Sequence, residues 1–572
     1  MKMRAFTAKV VAFAKKNSVA IVFVTVYAAL ATATFLVSWR ELFDRLAFEL
    51  KPVANYDTFL YFTVGHGLAE GVTPYSGLYE NKGPMIFLVS AISYKLFGNY
   101  RLVNVLSFLC VLAGLIVPAA FCVAAYKKHK PNYYLFIPVA IFLFGGSALL
   151  TDFMQGHSEA VQVETFGTAF SLLAILFSYL VNLDGQSKFY SPSVILCGAC
   201  VGVATMFKEP FSLICAAGIL LFTHTKKDVI YKVMFPILWC FLTCFVILLL
   251  SGATTSYFTV YLSNMFSSHL TKYGSPFTRM LDVQKVFSYY GSFSFALPAL
   301  IIVSMVVSTV KELLTDYSEK VALNVAMKLL CALKPFAVLY VATFAVGLGG
   351  QYYNHHYVFA EGVFFAYMLS AADFTLSVNE TYPSFSSVKK LLGLADNSGE
   401  EKPTAALRMA KFAFIPALVA FSVVWCMALS VPRDYDALFN KTIAGATGVT
   451  ENAKYIDDIL YAVDKDTYTY IGFNGYTPCA YTEHLPSGPC FAQDKNNFTS
   501  EDTYFSKELV RQLDETDVIV FSYLNAGVMN EYVSAYIAEN FTTAAPSVVS
   551  NARIEKPETF RYKVYYRILA FA

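Results

Sequence analysis

The sequence predicts a mainly α fold: a polytopic transmembrane helix bundle followed by a small C-terminal α/β domain. Three observations predict it. Mean hydropathy is +0.50, and 56% of the 572 residues are hydrophobic against 15% charged, which excludes an ordinary soluble chain. Apolar runs of the roughly 18–25 residues that cross a bilayer recur through residues 1–431. Residues 432–572 are polar and carry short alternating segments instead.

The N-terminus is basic (Lys2, Arg4, Lys9, Lys15, Lys16) and precedes an apolar run over 19–39. That run is long and lacks a small-residue cleavage site, so it reads as an uncleaved first helix rather than a signal peptide. Further apolar runs lie near 84–97, 101–126, 133–151, 165–182, 191–207, 210–223, 232–252, 293–310, 329–348, 358–376 and 411–431. Basic clusters at Lys127, Lys128 and Lys130, at Lys226 and Lys227, at Lys311, Lys320 and Lys328, and at Lys389 and Lys390 mark one side as cytoplasmic, with the N-terminus. The segments 40–83, 152–164, 253–290, 349–357 and 432–572 then lie on the opposite, extracytoplasmic side. Full crossings by both 84–97 and 101–126 would contradict this. The short 84–97 run, ending at Gly98-Asn99, is therefore expected not to span.

In the C-terminal region, Thr467-Tyr468-Thr469-Tyr470-Ile471 and Val518-Ile519-Val520-Phe521 read as buried strands, and 506–513 and 530–540 as helices. Nine of the 11 cysteines fall in apolar runs, where they serve as small hydrophobes. Cys479 and Cys490 lie in the polar region beside Pro478 and Pro489, and are expected to pair if it is extracytoplasmic. Nothing in the chain forms a basic stripe, so a nucleic-acid partner is not expected.

Chemistry concentrates in the first polar loop. Asp57 opens a stretch in which Leu60, Val64 and Leu68 recur every fourth residue, with Tyr61, His66 and Glu70 between them; this predicts a helix lying in the interface. A turn follows at Gly71-Val72-Thr73-Pro74-Tyr75, then Asn81-Lys82-Gly83-Pro84 before the next helix. Asp57 alone also suits a helix cap. Glu164 stands where the helix after the 152–164 loop begins, a position the helix dipole favours for an acid in any case. Lys208-Glu209-Pro210 interrupts two apolar runs, where a snorkelling lysine is the plainer alternative.

Taken in order, these elements resemble the membrane-embedded glycosyltransferases that use lipid-linked sugars, the GT-C fold, which include protein O-mannosyltransferases and the aminoarabinose transferase of lipid A. In that superfamily an acid begins the loop helix, a G-x-x-P-Y-like turn follows, and a His/Glu-Lys-x-Pro-like element enters the next helix. The departure here is Asn81 in the His/Glu position, which puts metal binding in doubt. The resemblance implies catalytic roles for Asp57 and Glu164, donor-phosphate binding by Lys82, Lys208 and Arg279, and substrate contacts from Tyr61, Tyr75, His355, His356 and Tyr357. His269, in the loop that carries Arg279, is a weak metal candidate, and a divalent ion is left open as a cofactor. The implied reaction moves a sugar from a polyprenyl-phosphate donor to an acceptor hydroxyl on a glycan, lipid or protein, with inversion and with Asp57 as general base. The alternatives are a non-catalytic lipid-linked-saccharide transporter or flippase, which would want charge along a path through the helices, and an envelope assembly protein.

Overall fold

The computed structural model describes residues 56–130, 162–181, 187–266, 276–293, 296–348, 354–377, 448–472, 478–491, 500–522 and 531–571, with isolated positions in 21–32 and 136–144. The expected first helix and the apolar run 411–431 fall outside the described residues. Five of the described helices are long and apolar enough to cross a membrane.

Helix α1 (Tyr56–Ala69) packs against α2 (Pro84–Phe97). Pro84 opens α2, where a missing N–H costs nothing, and Gly98 ends it in the left-handed conformation. Its 14 residues reach about 21 Å, short of the roughly 30 Å hydrocarbon core. Gly83 before it donates to the Phe207 carbonyl (3.3 Å), while Tyr100 after it stacks on Phe62 of α1 (3.9 Å). The chain then runs through α3 (Arg101–Val111) and α4 (Ala113–His129).

The bundle continues with α5 (Val163–Leu180), α6 (Pro192–Phe207) and α7 (Pro210–Leu220). The helix over 226–250 exposes Ile237, Phe241, Phe245 and Leu249 at four-residue spacing, an unbroken apolar stripe suited to lipid. Next come α8 (Val283–Phe293), α9 (Ala296–Leu314), α10 (Val321–Ala332), α11 (Lys334–Gly347) and α12 (Glu361–Ser377). Helices α4, α5, α7, α11 and α12 share one hydrophobic core.

The C-terminal unit begins with α13 (Val449–Val463). Its sheet has the order β2-β1-β3-β5-β4, from β1 (Thr467–Ile471), β2 (Leu485–Pro486), β3 (Val518–Ser522), β4 (Phe541–Thr542) and β5 (Tyr562–Arg567). β1 runs parallel to β3, and β5 antiparallel to it, pairing Val520 with Val564. Helices α14 (Tyr504–Glu515) and α15 (Glu531–Asn540) complete it. The expected strands and helices are present here; β5 was not anticipated.

Two expectations need correction. Cys479 and Cys490 are both buried and are not joined in a disulfide; Cys490 Sγ instead donates to the Phe505 carbonyl at 3.5 Å. Helix α1 does not carry the exposed polar face expected of an amphipath. Phe59, Leu60, Tyr61, Phe62, Thr63 and Val64 are all buried, because the C-terminal unit covers the face that would otherwise meet the interface. Tyr481 packs edge-on against Phe59 (5.9 Å), and Tyr100 donates to both the Phe62 and Ala480 carbonyls (3.1 Å each). A single core cluster runs from α1 and the 75–79 turn into the C-terminal sheet.

Candidate active site

Four separate segments meet at one end of the bundle. The 70–83 loop is shaped by two left-handed residues, Gly71 (φ 90°) and Tyr75 (φ 71°). Glycine adopts this conformation freely; a tyrosine does so at a cost of about 1–2 kcal/mol. The surroundings hold Tyr75 there. Its ring is fully buried against Tyr261 (4.7 Å), Phe87 (5.9 Å) and Tyr257 (6.0 Å), and its hydroxyl donates to the Lys82 carbonyl at 2.8 Å. Tyr75 was expected to touch substrate; with no exposed surface, it fixes the backbone of Lys82 instead.

Lys82 carries its ammonium to two carboxylates, 3.7 Å from Asp57 Oδ2 and 3.6 Å from Glu80 Oε1. Burial pushes its pKa down, but the charges of Asp57, Glu80 and Glu164 outweigh burial and hold it above the ordinary lysine value. Tyr61 supports the pair from α1: Lys82 Nζ lies 5.7 Å from its ring centre. Its hydroxyl is 3.4 Å from Asp57 Oδ2 and donates to Gln162 Oε1 at 3.0 Å.

The second pair comes from the α5 start and the α6–α7 break. Helix α6 ends at Phe207, Lys208 turns extended, and Pro210 opens α7. Lys208 Nζ donates to Glu164 Oε1 at 2.6 Å and lies 3.3 Å from His356 Nε2. Glu164 is only 1% exposed, so its charge depends on that lysine. The lysine also stands over the Phe359 ring (5.1 Å). The two pairs are tied through the backbone. Gly83 donates to Phe207 O, and a Cβ on Gly83 would lie 2.1 Å from the Met206 carbonyl oxygen. Only glycine allows that approach.

The remaining expected residues separate. Tyr357 is buried and stacks on Tyr289 (4.3 Å). Arg279 is buried, with Nη1 2.9 Å from the carbonyls of both Gly347 and Leu348 at the end of α11, an arrangement that anchors a helix C-terminus. The His355 side chain and all of His269 lie outside the described residues. Among the described residues no group of three or more His, Cys, Asp or Glu is placed to hold a metal ion. The residues around Asp57 fit such an ion poorly, since the Lys82 ammonium already serves both carboxylates.

Two acids escaped the sequence reading. Glu80 stands one residue before Asn81 and supplies a carboxylate to Lys82, which comparison at position 81 alone overlooked. Burial pushes its pKa up, with Lys82 opposing. Glu209 accepts from the Tyr257 hydroxyl at 3.0 Å; burial raises it too, against the hydroxyls of Tyr261 and Tyr257 and the charge of Lys208. The signal for Glu209 was its place between Lys208 and Pro210.

No protein-family profile matches the chain, and no curated protein matches it. Among solved structures it is similar to ArnT from Cupriavidus metallidurans bound to undecaprenyl phosphate, at 12% identity and TM-score 0.48, over 97% of this chain and 99% of that one. The apo ArnT structure matches at 14% identity and TM-score 0.48, with the same coverage. The Archaeoglobus fulgidus oligosaccharyltransferase, in complex with Zn and sulfate, matches at 13% identity and TM-score 0.40, over 86% of this chain and 67% of that one.

Proposed function

We propose that the protein is an integral membrane glycosyltransferase that transfers a sugar from a polyprenyl-phosphate donor to an acceptor hydroxyl on the extracytoplasmic side, with inversion. The observation that carries this reading is the pair of lysines, Lys82 and Lys208, held on either side of the Gly83–Phe207 hydrogen bond, each with its own carboxylate. Two ammonium groups fixed at one end of an apolar bundle suit a phosphate whose lipid tail lies in the membrane.

In this mechanism the donor phosphate draws Lys82 away from Asp57. The carboxylate so released accepts the acceptor's proton as the acceptor oxygen bonds to the anomeric carbon. The bond from that carbon to the phosphate oxygen breaks on the opposite face, and the electron pair leaves with the polyprenyl phosphate. Lys82 and Lys208 take up the charge that develops there. Glu80 holds Lys82 within reach, and Glu164 does the same for Lys208. Arg279 anchors the α11 terminus beside the 354–357 segment. The charge placement read from the sequence puts this end outside the cytoplasm.

The test is transfer by purified full-length protein, with donor concentration varied. Lys208→Ala is expected to raise the donor KM and lower kcat/KM by about 10²-fold, as loss of one preorganised charge does. Unchanged donor dependence in Lys82→Ala and Lys208→Ala would overturn the phosphate assignment.

A further inference from the structure

A second polar layer lies at the other end of the same helices. On α5, Glu164 at the candidate site and Tyr179 in this layer are 15 residues apart, about 22 Å along the axis. Between them the helix carries no charged residue. Asp373 of α12 is the hub: it receives His129 Nε2 at 2.6 Å, Lys128 Nζ at 3.2 Å and the Tyr179 hydroxyl at 2.8 Å. Beside it Lys334 pairs with Glu312 at 2.7 Å, and Lys232 with Asp228 at 3.0 Å.

Lys311 breaks this pairing. It is half-buried and within electrostatic reach of Asp373, Glu312, Lys128 and Lys334. Among the described residues, however, no carboxylate lies within ion-pair distance of it: Asp373 is taken by Lys128 and His129, and Glu312 by Lys334. Among the described residues, four lysines therefore face three carboxylates. A half-buried ammonium without a counter-charge is costly. A second, independent observation lies on the same helix face. The hydroxyls of Ser308 and Ser304, three and seven residues before Lys311, are buried to 2% and 1% exposure and have no hydrogen-bond partner among the described residues. Phosphate oxygens accept from hydroxyls and ammonium groups alike.

We propose that Lys311, with Ser308 and Lys128, forms a phosphate-binding site at the end of the bundle opposite the candidate active site, and that its occupant is the phosphate of an anionic lipid headgroup. Lys128, with a side chain 38% exposed, opens the cluster to the surroundings. Basic pockets between helices bind such headgroups in this way. The site is separate from the proposed transferase chemistry and does not depend on it.

The test is native mass spectrometry of full-length protein equilibrated with vesicles of phosphatidylglycerol or phosphatidylcholine, together with thermal unfolding in inorganic phosphate. The wild type should retain phosphatidylglycerol preferentially. Lys311→Gln and Ser308→Ala should each reduce retention about fivefold, the effect of one lost phosphate contact. In delipidated protein Lys311→Gln should unfold no lower than wild type, because it removes an uncompensated charge; that separates lost binding from lost fold. Displacement of the lipid by millimolar inorganic phosphate would locate recognition in the phosphate itself. Stabilisation by inorganic phosphate without lipid retention would make free phosphate the ligand and overturn the lipid assignment. Equal retention of both lipids, or retention unchanged in Lys311→Gln, with no response to phosphate, would overturn the site.

Discussion

Lys82 is held beside Asp57 by a loop whose strain is confined to Tyr75, and that arrangement sets the behaviour of single substitutions. Tyr75→Phe keeps the ring cluster and removes only the hydroxyl that holds the Lys82 carbonyl. It should cost about 1 kcal/mol of stability and weaken donor use far less than Lys82→Ala, measured as kcat/KM beside thermal unfolding. Lys208→Ala leaves the buried Glu164 without that lysine, so it should destabilise by about 3–5 kcal/mol. Adding Glu164→Gln should restore part of that loss in unfolding measurements, whereas an independent role for each residue would make the losses add. Glu80 gives a pH dependence. Its folded-state pKa is raised above 4.5, so the folded chain binds its proton more tightly, and stability falls as pH rises through the window above 4.5. Glu80→Gln should flatten that part of the pH profile of unfolding. An unchanged slope would show that Glu80 does not cause it.

The breaks between elements, rather than the helices, made the site legible. The Gly71–Tyr75 turn, the Lys82-Gly83-Pro84 entry and the Lys208-Glu209-Pro210 interruption stood out because polar and helix-breaking residues are conspicuous among apolar runs. Two kinds of information were missing. Contacts between distant segments, such as Tyr257 with Glu209 or Gly83 with Phe207, have no local signature. The burial of α1 could not be read from its own periodicity either, because the covering surface around Tyr481 lies some 400 residues further on. The same limit explains the cysteine pairing: proximity in chain order did not bring Cys479 to Cys490, since Cys490 is packed under α14. At this scale Gly83→Ala is the decisive change. Its Cβ meets backbone at 2.1 Å, so the loop must part from the α6 end, and transfer should fall at least as far as in Lys208→Ala while the C-terminal unit stays folded. Activity equal to wild type would show that the two lysines need not be held together.

Among the described residues of the bundle, charge gathers in two layers joined by apolar helices. One layer holds the two lysine–carboxylate pairs under the C-terminal unit, and the other gathers Lys128, Lys232, Lys311 and Lys334 around Asp373 and Glu312. The sequence reading placed the chemistry at one face; the structure adds the second layer, and α5 carries no charged residue between the two. The bundle and its C-terminal unit share a continuous core through α1, so the sheet helps shape the candidate site and is more than an appendage to it. The most direct test of the central claim is mass spectrometry of envelope glycans and polyprenyl-phosphate sugars from cells carrying the wild-type chain, Asp57→Asn, or neither. Sugar transfer with Asp57 as base predicts that one glycan, lipid or protein loses a single sugar in the Asp57→Asn and null cells, while the matching polyprenyl-phosphate sugar accumulates, with transfer down by at least about 10²-fold. Identical glycans and donor pools in all three, with the protein expressed normally, would contradict it.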